Sequence, residues 1–110
     1  MDKKEFEFIL QEGEGLKIEF KEAFDSKNLS KELVAFANSE GGKIFLGVRD
    51  NGTIRGIEIN NKLKSQIQDL ARNCDPEVKI SLEGYENIII IHDSKLAEKF
   101  IEEFDYVWNL

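Results

Sequence analysis

Residues 43–59, KIFLGVRDNGTIRGIEI, contain the strongest fold signal in the chain. The apolar run Ile44–Val48 is typical of a central strand that is covered on both faces. Asn51-Gly52 follows, and because both residues tolerate positive φ the pair predicts a type I′ hairpin turn. A return strand is then expected over Thr53–Ile59. The stretch therefore predicts two paired strands in the middle of a sheet.

Amphipathic helices are predicted on both sides of this hairpin. The stripe before it consists of Leu29, Leu33, Phe36 and Ala37, with Ser26, Asn28 and Ser30 as candidate N-caps and Gly41 as the stop. The stripe after it consists of Leu63, Ile67, Leu70, Ala71 and Cys74, capped by Asn60 or Asn61. A weaker pattern around Phe6 predicts a short first helix, and a broad apolar stripe predicts a last helix over 94–108.

Three further strands are expected outside the hairpin. Residues 16–21 alternate, with Leu16, Ile18 and Phe20 on the apolar side. A second hairpin runs through residues 78–82, a turn near Gly84, and residues 88–91. The predicted order is α-β-α-β-β-α-β-β-α. It indicates one α+β domain over residues 1–110, with a mixed sheet of about five strands and helices packed on it.

Composition limits the classes of function. The chain has 110 residues, one Cys and a net charge of −7. One Cys excludes an internal disulfide and a metal site built from several thiolates. No stretch is long and apolar enough for a membrane span, so a cytoplasmic protein without membrane contact is expected. The acidic surplus lies at the two ends, because residues 16–72 carry ten Lys and Arg against eight Asp and Glu. A local basic face is therefore compatible with the overall charge.

Carboxylates are the candidates for chemistry. Glu12, Glu14, Glu19 and Asp50 lie at strand ends or on the polar side of the first strand. If that strand runs beside Ile44–Val48, Glu19 and Asp50 converge, as carboxylates do around Mg²⁺ or Mn²⁺. The alternative is pairing with nearby lysines and arginines on a solvated face. Spacing alone leaves both interpretations open. The one histidine, His92, follows a strand without a partner motif, which favours a surface or capping role.

Two segments, GEGLKIEFKEAF (13–24) and ELVAFANSEGGKIFLGVRDNGTIRGI (32–57), resemble the Schlafen AlbA-like domain. This family is also called the divergent AAA-4 or DNA-binding domain. The shared pattern is a Glu, then Glu-Phe-Lys, a helix ending in Ala-Phe-Ala-Asn-x-x-Gly-Gly, an apolar strand, Gly-Val-x-Asp and two later glycines. It covers about residues 12–58, with looser agreement beyond.

The resemblance implies an AlbA-like, Schlafen-core-like α+β fold and association with nucleic acid. Related domains of animal Schlafen proteins are metal-dependent RNA endonucleases with three carboxylates, which match Glu14, Glu19 and Asp50 here. Mg²⁺ or Mn²⁺ would be the metal. Arg49 departs from the pattern, because an acid is common there. The animal nuclease has two such halves, so a single-domain chain would need a homodimer.

Three hypotheses about function follow. The favoured one is a regulatory, transcription-regulator-like domain that binds DNA or RNA through five basic residues: Lys17, Lys21, Lys43, Arg49 and Arg55. The second is a metal-dependent endoribonuclease that uses the three carboxylates. The third is a protein-interaction or dimerisation domain that uses the acidic ends and the last helix.

Overall fold

The computed structural model describes residues 1–93, which form three helices on a four-stranded sheet. The helices are α1 (Lys3–Glu12), α2 (Ser26–Ala37) and α3 (Asn61–Arg72), and the strands are β1 (Ile18–Lys21), β2 (Gly42–Leu46), β3 (Ile80–Tyr85) and β4 (Ile88–Asp93). The strand order is β1-β2-β4-β3, with β1 parallel to β2 and the other neighbours antiparallel. The predicted α+β fold with a mixed sheet is confirmed. Within these residues no helix has the length and apolarity needed to cross a membrane.

The sheet separates two apolar clusters, because successive side chains of a strand point to opposite faces. One face packs against α2 and α3 and includes Ile44, Leu46, Ile89 and Ile91. The other face packs against α1 and includes Phe6, Phe20, Phe45, Ile88 and Ile90. The middle strands β2 and β4 are therefore covered on both sides, as the apolar run in residues 44–48 predicts.

The helix starts agree with the sequence in one case and not in the other. Asn60 caps α3, as predicted, and its side chain accepts the N–H of Leu63 at 2.8 Å. The three predicted caps of α2 are wrong, because Asp25 is its N-cap. The Asp25 carboxylate accepts both the N–H and the side-chain amide of Asn28, at 3.3 and 2.9 Å. A carboxylate is favoured there because it also faces the positive end of the helix dipole.

The predicted return strand over Thr53–Ile59 is wrong. One isolated bridge, between Val48 and Ile54, joins this segment to the β2 side. Gly47 and Gly56 adopt φ angles of 106° and 83°, which turn the chain away from regular pairing. The segment then runs towards the β3–β4 turn, where the N–H of Ile57 donates to the carbonyl of Asn87 at 2.7 Å.

The turn chemistry also differs in detail. The prediction of a type I′ turn at Asn51-Gly52 is wrong, because only Gly52 of the pair has a positive φ. The N–H of Gly52 donates to the carbonyl of Arg49. Leu16 is 94% exposed and precedes β1 instead of belonging to its apolar side. Gly84 lies inside β3, and the turn that follows contains Glu86 at a φ of 55°. The predicted helix over 94–108 lies outside the described residues.

Candidate nucleic-acid interface

The chain before β1 folds back along the outer edge of this strand. Gly15 and Ile18 exchange backbone hydrogen bonds of 3.0 and 3.4 Å. The N–H of Phe20, which also points out of the sheet, donates to Oε2 of Glu14 at 2.9 Å. Glu14 therefore occupies the hydrogen-bonding edge of β1, where another strand would otherwise be able to pair.

The carboxyl groups of Glu14 and Glu19 lie close enough to shift each other's pKa, and a hydrogen bond between them requires a proton on one of the two. Burial raises the pKa of Glu19 to about 7, with further contributions from the bond to Glu14 and the charge of Glu32. The bond from Glu19, together with the N–H of Phe20 and the charge of Lys21, lowers the pKa of Glu14. A pKa near 7 favours the protonated form of Glu19 below neutral pH, whereas the lowered pKa of Glu14 favours its charged form.

The third predicted carboxylate does not join this pair. Asp50 is exposed in the turn after Val48. Among residues 1–93, no group of three or more His, Cys, Asp or Glu side chains is placed to hold a metal ion. The structure thus brings together two of the three carboxylates, and the raised pKa of Glu19 means that a metal would have to compete with a proton there. The residues as arranged do not fit a three-carboxylate metal site.

Three of the five predicted basic residues gather at the carboxyl end of β1. Arg49 Nε lies 3.2 Å from Oε1 of Glu22, and Arg55 Nη1 donates to the Glu22 carbonyl at 3.1 Å. Lys21 Nζ lies 3.9 Å from Oε1 of Glu32 on α2. Arg55 reaches this place because its N–H and that of Gly56 both donate to the carbonyl of Gly47. We call Lys21, Arg49 and Arg55 the carboxyl-end cluster.

Lys17 and Lys43 lie at the other end of β1 and β2. They line a cleft of about 330 Å³ together with Ile18 and His92. Lys43 Nζ lies 3.7 Å from Oε1 of Glu5 in α1. A strand rises about 3.3 Å per residue, so β1 separates Lys17 from Lys21 by roughly 13 Å. The structure therefore divides the five basic residues into two groups.

His92 belongs to a polar chain on the α1 face. Its Nε2 lies 2.9 Å from Oε1 of Glu83, and the amino group of Met1 donates to Oε2 of the same carboxylate at 2.7 Å. These two contacts lower the pKa of Glu83, the amino group contributing most, and Glu83 raises the pKa of the amino group. His92 thus has a surface structural contact, in agreement with the role favoured for it.

Glu22 and Glu32 shape this surface and were not among the predicted site residues. Glu32 lies three residues after Leu29 and four before Phe36, so the helical period places it beside the buried stripe of α2. That spacing was a usable signal. The sequence around Glu22 contained no such signal, because the contacts of Glu22 to Arg49 and Arg55 depend on the tertiary path of residues 47–56.

A family model described as Schlafen, AlbA_2 covers residues 14–101 of the 110. The matched region begins at Glu14 and contains Glu19, Asp50 and all five basic residues discussed above.

Proposed function

Because the chain belongs to the Schlafen AlbA_2 family, we propose that it is a nucleic-acid-binding domain with a regulatory role. Family membership supports a nucleic-acid-related function. The observation that carries the finer proposal is the carboxyl-end cluster, in which Arg49 and Arg55 contact Glu22 and Lys21 contacts Glu32. Exposed guanidinium and ammonium groups bind phosphate oxygens, and these contacts position a protein on nucleic acid.

The local charge favours phosphate at this end of β1 in spite of the net charge of −7. Arg55 donates to the backbone carbonyl of Glu22, and no carboxylate of residues 1–93 forms a salt bridge with it. The carboxylates that contact Lys21 and Arg49 are part-exposed, and such ion pairs contribute little energy. Phosphates are able to compete for both cations. The raised pKa of Glu19 also reduces the negative charge near Lys21 as the pH falls below 7.

The test is binding of a short labelled single-stranded RNA and a short DNA duplex, followed by fluorescence anisotropy over a series of salt concentrations. Binding that releases counterions weakens linearly in log Kd against log salt. In the Arg49→Ala/Arg55→Ala variant we expect weaker binding and a salt slope shallower by about 1 for each residue removed.

Lys64→Ala is the matched control, because Lys64 is an exposed lysine that lines a groove beside β3 at the opposite edge of the sheet. It should leave the salt slope unchanged. Absence of binding to both nucleic acids, or binding that does not depend on salt, would contradict the proposal. The difference between RNA and DNA then identifies the target class.

A second candidate is a metal-dependent endoribonuclease, which the contact between Glu14 and Glu19 beside Lys21 favours. Carboxylate oxygens bind Mg²⁺ or Mn²⁺, and such an ion supplies an activated water and stabilises charge on a phosphate. Asp50 would have to approach the pair, and the proton would have to leave it. The test is incubation of a structured RNA with Mn²⁺ and the Glu19→Ala, Asp50→Ala and control Glu12→Ala variants. Cleavage that persists equally in all variants would rule the candidate out.

A further inference from the structure

The strand β3 forms the edge of the sheet opposite to β1, and the direction of its backbone groups follows from the pairing. The N–H of Lys43 donates to the carbonyl of Lys17, the residue before β1, so the backbone groups of Lys43 face β1 and those of its neighbour Ile44 face β4. Ile44 pairs with Ile91, so the next residue, His92, points its backbone groups towards β3.

The same alternation continues into β3. Ser81 pairs with His92 and Glu83 with Ile90, so both residues of β3 face β4. The N–H and C=O groups of the intervening residues, Ile80, Leu82 and Gly84, therefore point out of the sheet. Within residues 1–93, the outward N–H and C=O groups of these three residues form no backbone hydrogen bond.

The side chains beside this edge are also suited to a neighbour. Ile80 and Leu82 are only half-buried and line a groove of about 760 Å³ between β3 and α3. A side chain at Gly84 would meet no atom within 4 Å. The strand sequence ISLEGY contains neither lysine nor proline, two residues that commonly protect an edge from pairing.

We propose that this edge pairs with the same edge of a second copy of the chain, antiparallel and with Leu82 of one copy opposite Leu82 of the other. Leu82 is the middle one of the three outward residues, so a two-fold axis there uses all of them. Ile80 then lies opposite Gly84 of the second copy, and each facing pair exchanges two backbone hydrogen bonds.

The side chains fit this register. Glu83 lies opposite Ser81 of the second copy, so no like charges face each other across the strand pair. Gly84 leaves room for Ile80 of the second copy, because a side chain at this position would meet no atom within 4 Å. Ile80 and Leu82 form the apolar part of the adjoining groove, whose α3 side is polar. An extended peptide of another protein, or residues beyond 93, would use the same backbone groups in another way. Of these three occupants, only a second copy of the chain has to place Leu82 opposite Leu82, so this register distinguishes it from the other two.

Single cysteines test the register in the full chain carrying Cys74→Ser. In the proposed dimer the Cα atoms at position 82 lie about 5.5 Å apart, within the range of a disulfide. The Cα atoms at position 84 are offset by four residues, roughly 13 Å, which is too far. Under mild oxidation we expect Leu82→Cys to form a disulfide-linked dimer and the matched control Gly84→Cys to stay uncrosslinked. Circular dichroism confirms that both variants are folded.

Sedimentation velocity of the unmodified chain gives an independent readout. We expect a dimer whose fraction rises with protein concentration and falls in Leu82→Pro, which removes one outward N–H without touching the bonds to β4. Equal cross-linking at positions 82 and 84 would overturn the proposal. A chain that stays monomeric at all concentrations would also overturn it. If the Leu82 and Gly84 amides of that monomer were protected from hydrogen exchange, the chain itself would be covering the edge.

Discussion

The two edges of the sheet are built in opposite ways. At β1 the preceding residues fold back, and the Glu14 carboxylate accepts the outward N–H of Phe20. At β3 the outward groups of three residues have no partner within residues 1–93. The first edge is closed to another strand by a carboxylate, whereas within residues 1–93 the second edge is open and carries the half-buried Ile80 and Leu82. The difference assigns ionic contacts to the β1 edge and chain-to-chain contacts to the β3 edge.

The contrast has a local cause. A short connection between α1 and β1 keeps Glu14 next to the strand, and Gly13 ends the helix with a φ of 87° that reverses the chain. The segment between α3 and β3 instead continues into the strand at Ile80, after Val78 has bonded back to Ala71. No acidic side chain from that segment bonds an outward N–H of β3 within the described residues.

The largest expected effect is a loss of stability when the apolar cluster between α1 and the sheet, which underlies both edges, is disrupted. Phe45 of β2 is fully buried and packs near the rings of Phe6 and Phe20. Phe45→Ala should lower the free energy of unfolding by about 3–5 kcal/mol, because it leaves a cavity. Urea denaturation measures the loss. Phe8→Ala is the control, since Phe8 is 62% exposed, and it should change stability by less than about 0.5 kcal/mol. Equal losses in the two variants would contradict the common core.

A medium effect is expected when the β1 edge is made to resemble the β3 edge. Glu14→Ala removes the acceptor of the Phe20 N–H and should cost about 1–2 kcal/mol of unfolding free energy. It also opens the edge, so self-association should increase in sedimentation velocity. Glu12→Ala removes an exposed acid two residues earlier and serves as the control. If both variants associate to the same extent, Glu14 does not protect the edge.

The smallest effect concerns the proton in the closed edge. Because the folded chain raises the pKa of Glu19 to about 7, it holds a proton that the unfolded chain releases near 4.5. This contribution to stability is therefore present below about pH 4.5 and is lost as pH rises towards 7. The lowered pKa of Glu14 acts in the opposite sense and below that window.

Glu19→Gln is neutral at every pH, so the fall in stability between pH 4.5 and 7 should become smaller. The difference should be about 1 kcal/mol or less, because water screens a part-exposed pair. Urea denaturation at several pH values measures it, with Glu12→Gln as the control. An unchanged pH profile in Glu19→Gln would show that the two carboxyls do not share a proton in solution.

Much of the fold was predictable because local patterns agreed with the tertiary result. The stripes Leu29–Ala37 and Leu63–Ala71 are buried as their helical spacing predicts, and the apolar runs of β2 and β4 lie in the middle of the sheet. The return strand was mispredicted because its alternation was a weaker determinant than Gly47 and Gly56, whose positive φ angles redirect the chain. Hairpin signals describe a turn, and they do not specify how far pairing continues after it.

The candidate site was predictable only in part. The motif identified Glu14, Glu19 and Asp50, and the five basic residues were chosen for their place on or near the sheet and the hairpin. The structure brings Glu14 to Glu19, and Lys21 to the same end of β1 as the two arginines. It does not bring Asp50 to the pair, and it adds Glu22 and Glu32. Charge contacts of this kind depend on distances of a few ångströms between segments that are far apart in sequence, and spacing along the chain does not define such distances.

The sequence by itself determined the helices, the central strands, the family and the types of charged residue near β1. These follow from periodicity and from a motif, both of which are local properties of the chain. Only the tertiary structure decided that Glu14 closes one edge while β3 is left open by residues 1–93, and that Glu14 and Glu19 shift each other's pKa. Edge exposure and pKa depend on which segments meet and how much water they exclude, and those properties arise only when the strands are assembled.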